Sequence, residues 1–257
     1  MIFNKRAPRW FAVVILVGLL SALPPLISAL PAAKISMPPV KMLKAIRASA
    51  SVPYQGLAES NARLGLPDLE RAGRVSSLLG QKTRMRAWYR GPHSWRVDDL
   101  TPIGEHGTYL DASGIWVWDS GRRTGTRVEG FSQVRFPRAA DLLPPELARR
   151  LANGARASDL SALPAARVAG VDAAGLRITP SSPETTVAWV DIWSDPGSGL
   201  PLRVEVGARG TSGIAVSSSF LDVSESAPAA WLVRFEPPPR SFLSRSVAPD
   251  FAQEVEH

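Results

Sequence analysis

The residue types that could act in catalysis are few and poorly arranged. Glu105 and His106 are adjacent, so in a strand their side chains point to opposite faces of the sheet, and the same holds for Asp98 and Asp99. The serines at 217–219 lack the strand–turn–helix context of a nucleophile elbow. There is no cysteine, and no zinc-helix, Walker or dinucleotide-binding motif. The sequence therefore predicts a protein that is not an enzyme, uses no cofactor and holds no metal.

Aromatic side chains that lie beside arginines are more informative about function than the catalytic candidates. The stretch AWYRGPHSWRVD (87–98) places Trp88, Tyr89 and Trp95 on either side of a Gly-Pro turn. Such residues can stack on nucleic-acid bases, form core or cross-strand pairs, or line an apolar pocket. Core packing and pocket lining both stay open, and the candidate lining residues are Trp88, Tyr89, Trp95, Trp116, Trp118, Trp189 and Trp193. Asp191 shares a strand face with the last two and needs a partner if it is buried, which Arg177 or Arg203 could supply.

The charge distribution argues against a nucleic-acid partner. The 257-residue chain has a formal net charge of +7, but part of the excess comes from Lys5, Arg6 and Arg9. The remaining positive charge is small for a chain of this length, whereas a nucleic-acid domain concentrates basic residues on one surface. We therefore expect no nucleic-acid partner.

The N-terminus predicts export. The basic cluster is followed by an uncharged run from Trp10 to Leu30, about the length that spans a bilayer as a helix. Basic flanks stay in the cytoplasm, so residues 35–257 would lie outside it. A retained single-pass anchor in the cytoplasmic membrane is favoured, because Leu30 or Pro31 disrupts the small-residue pattern of a cleavage site. The alternative is a signal peptide, shortened by Pro24-Pro25, whose cleavage would give a secreted protein.

The hydrophobic pattern predicts a mainly β protein with a few helices. Helical spacing indicates a helix over 40–51, and another helical segment covers 138–154. From Arg84 onward the period is two, and short strands joined by Gly and Pro turns indicate an antiparallel meander. About ten strands are expected, the last being WLVRFEP (231–237). Residues beyond it are expected to form a loose end. Residues 67–80 are expected to form a long connection, and residues 157–170 another connection.

Three stretches in order resemble the LolA-like lipoprotein carriers, and especially the RseB/MucB-like regulators of sigma factors. They are MRAWYRGPHSWRVD with TYLDASGIWVWDSGRRTGTRV, then VAGVDAAGLRITP, and then VAWVDIWSDPGSGLPLRVEV. The layout is similar to actinobacterial members that carry one N-terminal hydrophobic segment. The resemblance implies a curved antiparallel half-barrel with helices on its concave face, enclosing an apolar cavity for an acyl chain or a lipidated ligand.

The predicted organisation is a signal anchor or signal peptide (1–33), a spacer (34–39), a half-barrel domain (40–236) and a C-terminal tail (237–257). The function that the resemblance implies is binding of a lipid or acylated ligand at the cytoplasmic membrane. An alternative is an RseB-like protein that binds a membrane anti-sigma factor and controls an extracytoplasmic stress response. RseB-like regulators have a second C-terminal domain, for which too little chain remains here.

Overall fold

The computed structural model describes residues 35–63, 78, 80, 82–102, 104–130 and 137–247. Helices form at α1 (Pro39–Ala48), α2 (Pro144–Ala152) and α3 (Ala230–Val233), with 3₁₀ turns at Ser49–Ser51, Ala139–Leu142 and Ala157–Asp159. The strands are β1 (Tyr54–Ala62), β2 (Lys82–Gly91), β3 (Ser94–Thr101), β4 (Gly104–Asp111), β5 (Gly114–Asp119), β6 (Thr124–Glu129), β7 (Leu160–Val168), β8 (Val171–Ile178), β9 (Val187–Ser194), β10 (Pro201–Ala208), β11 (Val216–Ser224) and β12 (Phe242–Val247).

All described strands belong to one open, curled sheet in the order β12-β6-β5-β4-β3-β2-β1-β11-β10-β9-β8-β7. Neighbouring strands are antiparallel, except that β12 runs parallel to β6. Both runs of sequential hairpins follow from the period-two pattern and its Gly and Pro turns. The predicted curved half-barrel with helices on the concave face is confirmed.

Helices α1 and α2 together cover the concave face of strands β8 to β10. Helix α1 starts at Pro39, a residue favoured in the first helical turn because it lacks an N–H to satisfy. Its buried residues Met42, Leu43 and Ile46 share a hydrophobic cluster with residues of those strands: Ala174, Leu176, Ile178, Val190, Ile192, Val204 and Val206. The predicted helix over 40–51 is therefore confirmed, with its last turn in 3₁₀ form.

Arg47 joins α1 to the end of α2. Its Nη2 donates to the carbonyl oxygens of Ala152 at 2.7 Å, Asn153 at 3.0 Å and Ala155 at 3.0 Å. The last carbonyls of a helix have no intrahelical donor, so this guanidinium satisfies the C-terminus of α2. The contact fixes the two helices as one layer over the sheet.

Three sequence expectations are corrected. WLVRFEP is not a strand, because its first residues belong to the short helix α3. Residues 160–168 were expected to be a connection but form strand β7 beside β8. The chain after 236 is not a loose end, because Phe242–Val247 pairs with Thr124–Glu129 at the edge of the sheet.

The membrane prediction falls outside the described part of the chain. The run from Trp10 to Leu30 lies in the undescribed residues 1–34, and most of the connection predicted at 67–80 is also undescribed. Within the described residues, no helix combines the length and the apolar character that a membrane crossing needs.

Candidate functional site

The concave face is divided into two parts. Strands β8 to β10 pack against α1 and against Ala148 and Ala152 of α2, whereas a cavity of about 410 Å³ remains between strands β1 to β5 and the charged side chains of α2. That volume lies within the range of small-molecule pockets, roughly 300 to 1,000 Å³. The cavity wall consists of Ala50, Tyr54, Tyr89, Pro92, Trp95, Val97, Ile115, Arg138, Ala140, Asp141, Leu143, Glu146, Arg149 and Arg150.

The sheet supplies the apolar part of this wall. Strand register places Tyr54 beside Tyr89, Tyr89 beside Trp95, and Trp95 in the same row as Ile115 through β4. Side chains in one such row point to the same face of a sheet. One row across the meander thus provides a continuous aromatic and aliphatic surface to the cavity.

Two tyrosines at the inner end of this row differ in their hydrogen bonds. The Tyr54 and Tyr89 rings stack with centroids 4.9 Å apart. The Tyr89 hydroxyl donates to the Ala50 carbonyl at 2.6 Å. The Tyr54 hydroxyl is buried and has no hydrogen-bond partner among the described residues. Burial raises the pKa of both phenols, so both keep their protons and act as donors.

Charged side chains line the helical side of the cavity. Arg149 pairs with Glu146 within α2. Arg150 contacts Asp141 at 2.9 Å, and the Asp141 carboxylate also accepts the backbone N–H of Arg138 at 2.8 Å. The 3₁₀ turn and α2 therefore present a row of paired charges opposite an apolar sheet, an arrangement suited to an amphiphilic ligand.

No protein-family model matches the chain, and no curated protein matches it either. Among solved structures, the crystal structure of MucB superposes with a TM-score of 0.50 at 16% sequence identity, covering 77% of this chain and 62% of the MucB chain. The fold is therefore similar to that of MucB. A complex of Pseudomonas aeruginosa MucA and MucB matches at a TM-score of 0.49 and 16% identity, covering 76% of this chain and 60% of the other. A LolA superfamily protein from Nitrosomonas europaea matches at a TM-score of 0.34 and 13% sequence identity, covering 78% of this chain and 99% of the other.

The curled sheet distributes the seven candidate lining residues over both faces. Tyr89 and Trp95 lie in the wall of the concave cavity. Five others alternate with concave residues along their strands and so point to the convex face: Trp88, Trp116, Trp118, Trp189 and Trp193. Tyr54, Val97 and Ile115 belong to the wall but were not singled out in the sequence, because their position depends on strand register.

Trp88 on the convex face stacks on an arginine. Arg96 lies 4.7 Å from the Trp88 ring centroid and 4.8 Å from that of Tyr109. Its Nε donates to Asp98 at 2.8 Å, and Asp98 is almost fully buried. The guanidinium is thus held by two ring faces and one carboxylate, which are favourable partners for it. This arrangement is complete without a ligand.

The β8–β10 side of the convex face repeats the arrangement. Arg177 lies 5.0 Å from the Trp189 centroid and donates to both oxygens of buried Asp191, each at 2.6 Å. The partner predicted for Asp191 is therefore Arg177. Arg203 lies 5.0 Å from the Trp193 centroid, and its Nε donates to Glu205 at 2.9 Å.

Phe235 covers the two remaining convex tryptophans. Its ring stacks on Trp116 with centroids 4.6 Å apart and lies 6.0 Å from Trp118. Gly125 leaves room for it, since a Cβ at that position would lie 2.8 Å from the Phe235 ring. The segment after β11 therefore packs on the convex face and occupies the surface that these tryptophans would offer to a ligand.

The catalytic candidates do not assemble into a site. His106 Nδ1 lies 3.6 Å from Asp119, while Glu105 alternates to the other face of β4. Asp98 is engaged by Arg96, and Asp99 alternates with it on β3. Among the described residues, no group of three or more His, Asp or Glu side chains could hold a metal ion.

Proposed function

We propose that this protein is a non-enzymatic binding protein, exported and tethered to the cytoplasmic membrane, that holds a lipid or lipidated ligand in its concave cavity. The observation that carries the proposal is the unequal filling of the concave face. Strands β8 to β10 are packed against α1, whereas Tyr89, Trp95 and Ile115 face a cavity of about 410 Å³. An apolar wall with charged groups at one side fits an acyl chain bearing a polar head.

The cavity can be filled by mutation. Ile115→Trp adds an indole to the cavity wall, and Leu221→Trp adds one at an exposed position outside it as the matched control. The full chain purified from its native membranes should carry co-purified lipid in native mass spectrometry, and a fluorescent acyl probe should bind after delipidation. Ile115→Trp should abolish both signals and Leu221→Trp neither. A wild-type chain without lipid that binds no probe would exclude the proposal.

Tethering is tested separately. The uncharged run from Trp10 to Leu30, with its basic flank, supports a retained anchor. N-terminal sequencing from the native host should find Met1, in a membrane fraction that resists an alkaline wash. A mature chain beginning near Ala33 or Lys34 would instead identify a secreted protein and leave the cavity proposal intact.

The second candidate is an RseB-like regulatory protein that binds a membrane anti-sigma factor. MucB, with the same fold, has been crystallised in complex with MucA(peri). The observation in this chain that favours a protein partner is edge strand β12, all of whose residues are exposed. Phe242 and Val247 are 73% and 77% exposed. A partner strand can add to such an edge through backbone hydrogen bonds.

A proline substitution in β12 tests whether a partner strand binds at this edge of the sheet. The Phe242 N–H donates to the Arg123 carbonyl at 2.9 Å, so by alternation the Arg245 N–H points away from β6. Arg245→Pro should therefore block addition of a partner strand while keeping β12 in place, and Arg245→Ala controls for the side chain. Crosslinking in the native membrane should link the wild type and Arg245→Ala to an anti-sigma factor. Equal crosslinking of Arg245→Pro would contradict binding at this edge.

A further inference from the structure

The Tyr54 hydroxyl is a buried donor with no acceptor in the cavity wall. Its residue is 0% exposed, and no described residue accepts its proton. Leaving a buried hydroxyl unpaired costs free energy, about 1–3 kcal/mol. Tyr89, stacked on the same ring, satisfies its own hydroxyl through Ala50. The contrast indicates that an acceptor for Tyr54 comes from a molecule in the cavity.

The electrostatic surroundings of Tyr54 narrow the class of acceptor. Tyr54, Arg149 and Glu146 all line the cavity, and the charges of Arg149 and Glu146 both act on the Tyr54 hydroxyl. The Arg149 side chain is only 12% exposed. One of its nitrogens faces Glu146 and another lies 3.4 Å from the Ser49 hydroxyl, which leaves further N–H donors of the guanidinium for a ligand.

The donors in the wall favour an anion. Tyr54 and Arg149 both line the cavity, and the Arg149 guanidinium keeps N–H donors beyond those that face Glu146 and Ser49. A neutral ester carbonyl would accept from Tyr54 through one oxygen, whereas the two oxygens of a carboxylate can accept from both the Tyr54 hydroxyl and the Arg149 guanidinium. Water needs two to four polar partners and would not fill the apolar remainder of the cavity.

We propose that the ligand is an acyl chain with a free carboxylate, whose oxygens accept from the Tyr54 hydroxyl and the Arg149 guanidinium. The chain then extends along Trp95, Val97 and Ile115. This inference rests on the proposed lipid-binding function and gives its ligand a chemical class. It places the charged head at the tyrosine pair and the hydrocarbon against the row of apolar side chains on β3 and β5.

The test compares palmitate with its methyl ester on the delipidated full chain. Both displace N-phenyl-1-naphthylamine, a neutral apolar dye that reports occupancy of the cavity. Palmitate should bind about tenfold more tightly than the ester, because a hydrogen bond to a charged group is stronger than one to a neutral group. Tyr54→Phe, which keeps the ring, should weaken palmitate binding about tenfold and leave dye binding unchanged.

Two further variants complete the design. Arg149→Gln should remove the preference for acid over ester, and Arg84→Gln, an arginine on the convex face, should retain it. If the dye binds but acid and ester bind equally, and Tyr54→Phe changes neither, the carboxylate inference is overturned while the lipid-binding proposal stands. If neither the dye nor palmitate binds, the proposed function itself fails.

Discussion

The two faces of the sheet use aromatic side chains and arginines in different ways. On the convex face three arginines that lie over tryptophan rings, Arg96, Arg177 and Arg203, each also donate to a carboxylate. On the concave face, Tyr54 lies near Arg149 but its hydroxyl has no described partner. The residue types on the two faces are similar. The convex arginines have their partners within the protein, whereas the Tyr54 hydroxyl has none among the described residues. The unsatisfied hydroxyl is therefore the feature that separates the proposed binding cluster from the arginine–tryptophan sets of the convex face.

The largest effect should come from the filled part of the concave face. Ile46, on the sheet-facing side of α1, is fully buried, so Ile46→Ala should lower the free energy of unfolding by about 2–5 kcal/mol. Val40, on the same helix, is 58% exposed, and Val40→Ala should change it by less than about 0.5 kcal/mol. Urea denaturation measures both. Equal effects would show that α1 does not pack on the sheet as described.

The next largest loss of stability is expected from the sets of arginine, tryptophan and carboxylate on the convex face. Arg177→Met leaves the carboxylate of Asp191 buried without its partner and should cost about 2–3 kcal/mol, since partial exposure of Arg177 reduces the usual penalty. Arg84→Met removes a more exposed arginine from Glu59 and should cost at most about 1 kcal/mol. Denaturation midpoints of the two variants distinguish the sites. A smaller loss for Arg177→Met would mean that the convex set is not a stabilising one.

The stacked tyrosines allow a hydroxyl that has a hydrogen-bond acceptor to be compared with one that has none among the described residues. Tyr89→Phe removes the hydrogen bond to Ala50 and should cost about 0.5–1.5 kcal/mol. Tyr54→Phe removes a hydroxyl without a described partner, so the ligand-free protein should be unchanged or slightly more stable. Thermal unfolding of delipidated protein compares them. A clear loss in Tyr54→Phe would reveal a partner within the protein.

The smallest effect is expected from the surface ion pair of Glu59 and Lys82, whose contribution to the free energy of unfolding depends on pH. The hydrogen bond from Lys82 lowers the pKa of Glu59 below its ordinary value of 4.5. Because the folded-state pKa is depressed, the contribution is present above pH 4.5 and is lost as the pH falls through the folded-state pKa. Glu59→Gln should cost at most about 1 kcal/mol at pH 7 and nothing near pH 2. If the difference in stability between the wild type and Glu59→Gln did not change with pH, the ion pair would be excluded as its cause.

Much of the fold was predictable because its signals are local. The period-two pattern after Arg84 and the turns at Gly-Pro and Asp-Pro-Gly fix most of the hairpins. Strand β7 was missed because Pro164 interrupts it and its residues do not alternate clearly in hydrophobicity. Strand β12 was missed because all of its residues are exposed, so no buried face marks it. Strand β12 thus depends on pairing with a strand distant in sequence, whereas β7 pairs with the next strand but carries too weak a local pattern to be recognised.

The site was less predictable, because residue type does not reveal which face of a strand bounds a cavity. Trp116 and Tyr89 have similar sequence surroundings, yet Phe235 covers the first and the second lines the cavity. Tyr54 carries no distinguishing signal in the sequence. Its importance depends on pairing with Tyr89 across β1 and β2 and on the approach of α2, which are tertiary facts.

The pairing of β12 with β6 has a consequence for the order of folding. Thr126 and Ser244 in these strands are 118 residues apart in sequence, and the chain reaches this edge only after crossing the convex face. Closing so long a loop is entropically unfavourable until the hairpins that form the rest of the sheet are in place. We therefore expect β12 to dock last during folding and to exchange its amide protons first in the native state.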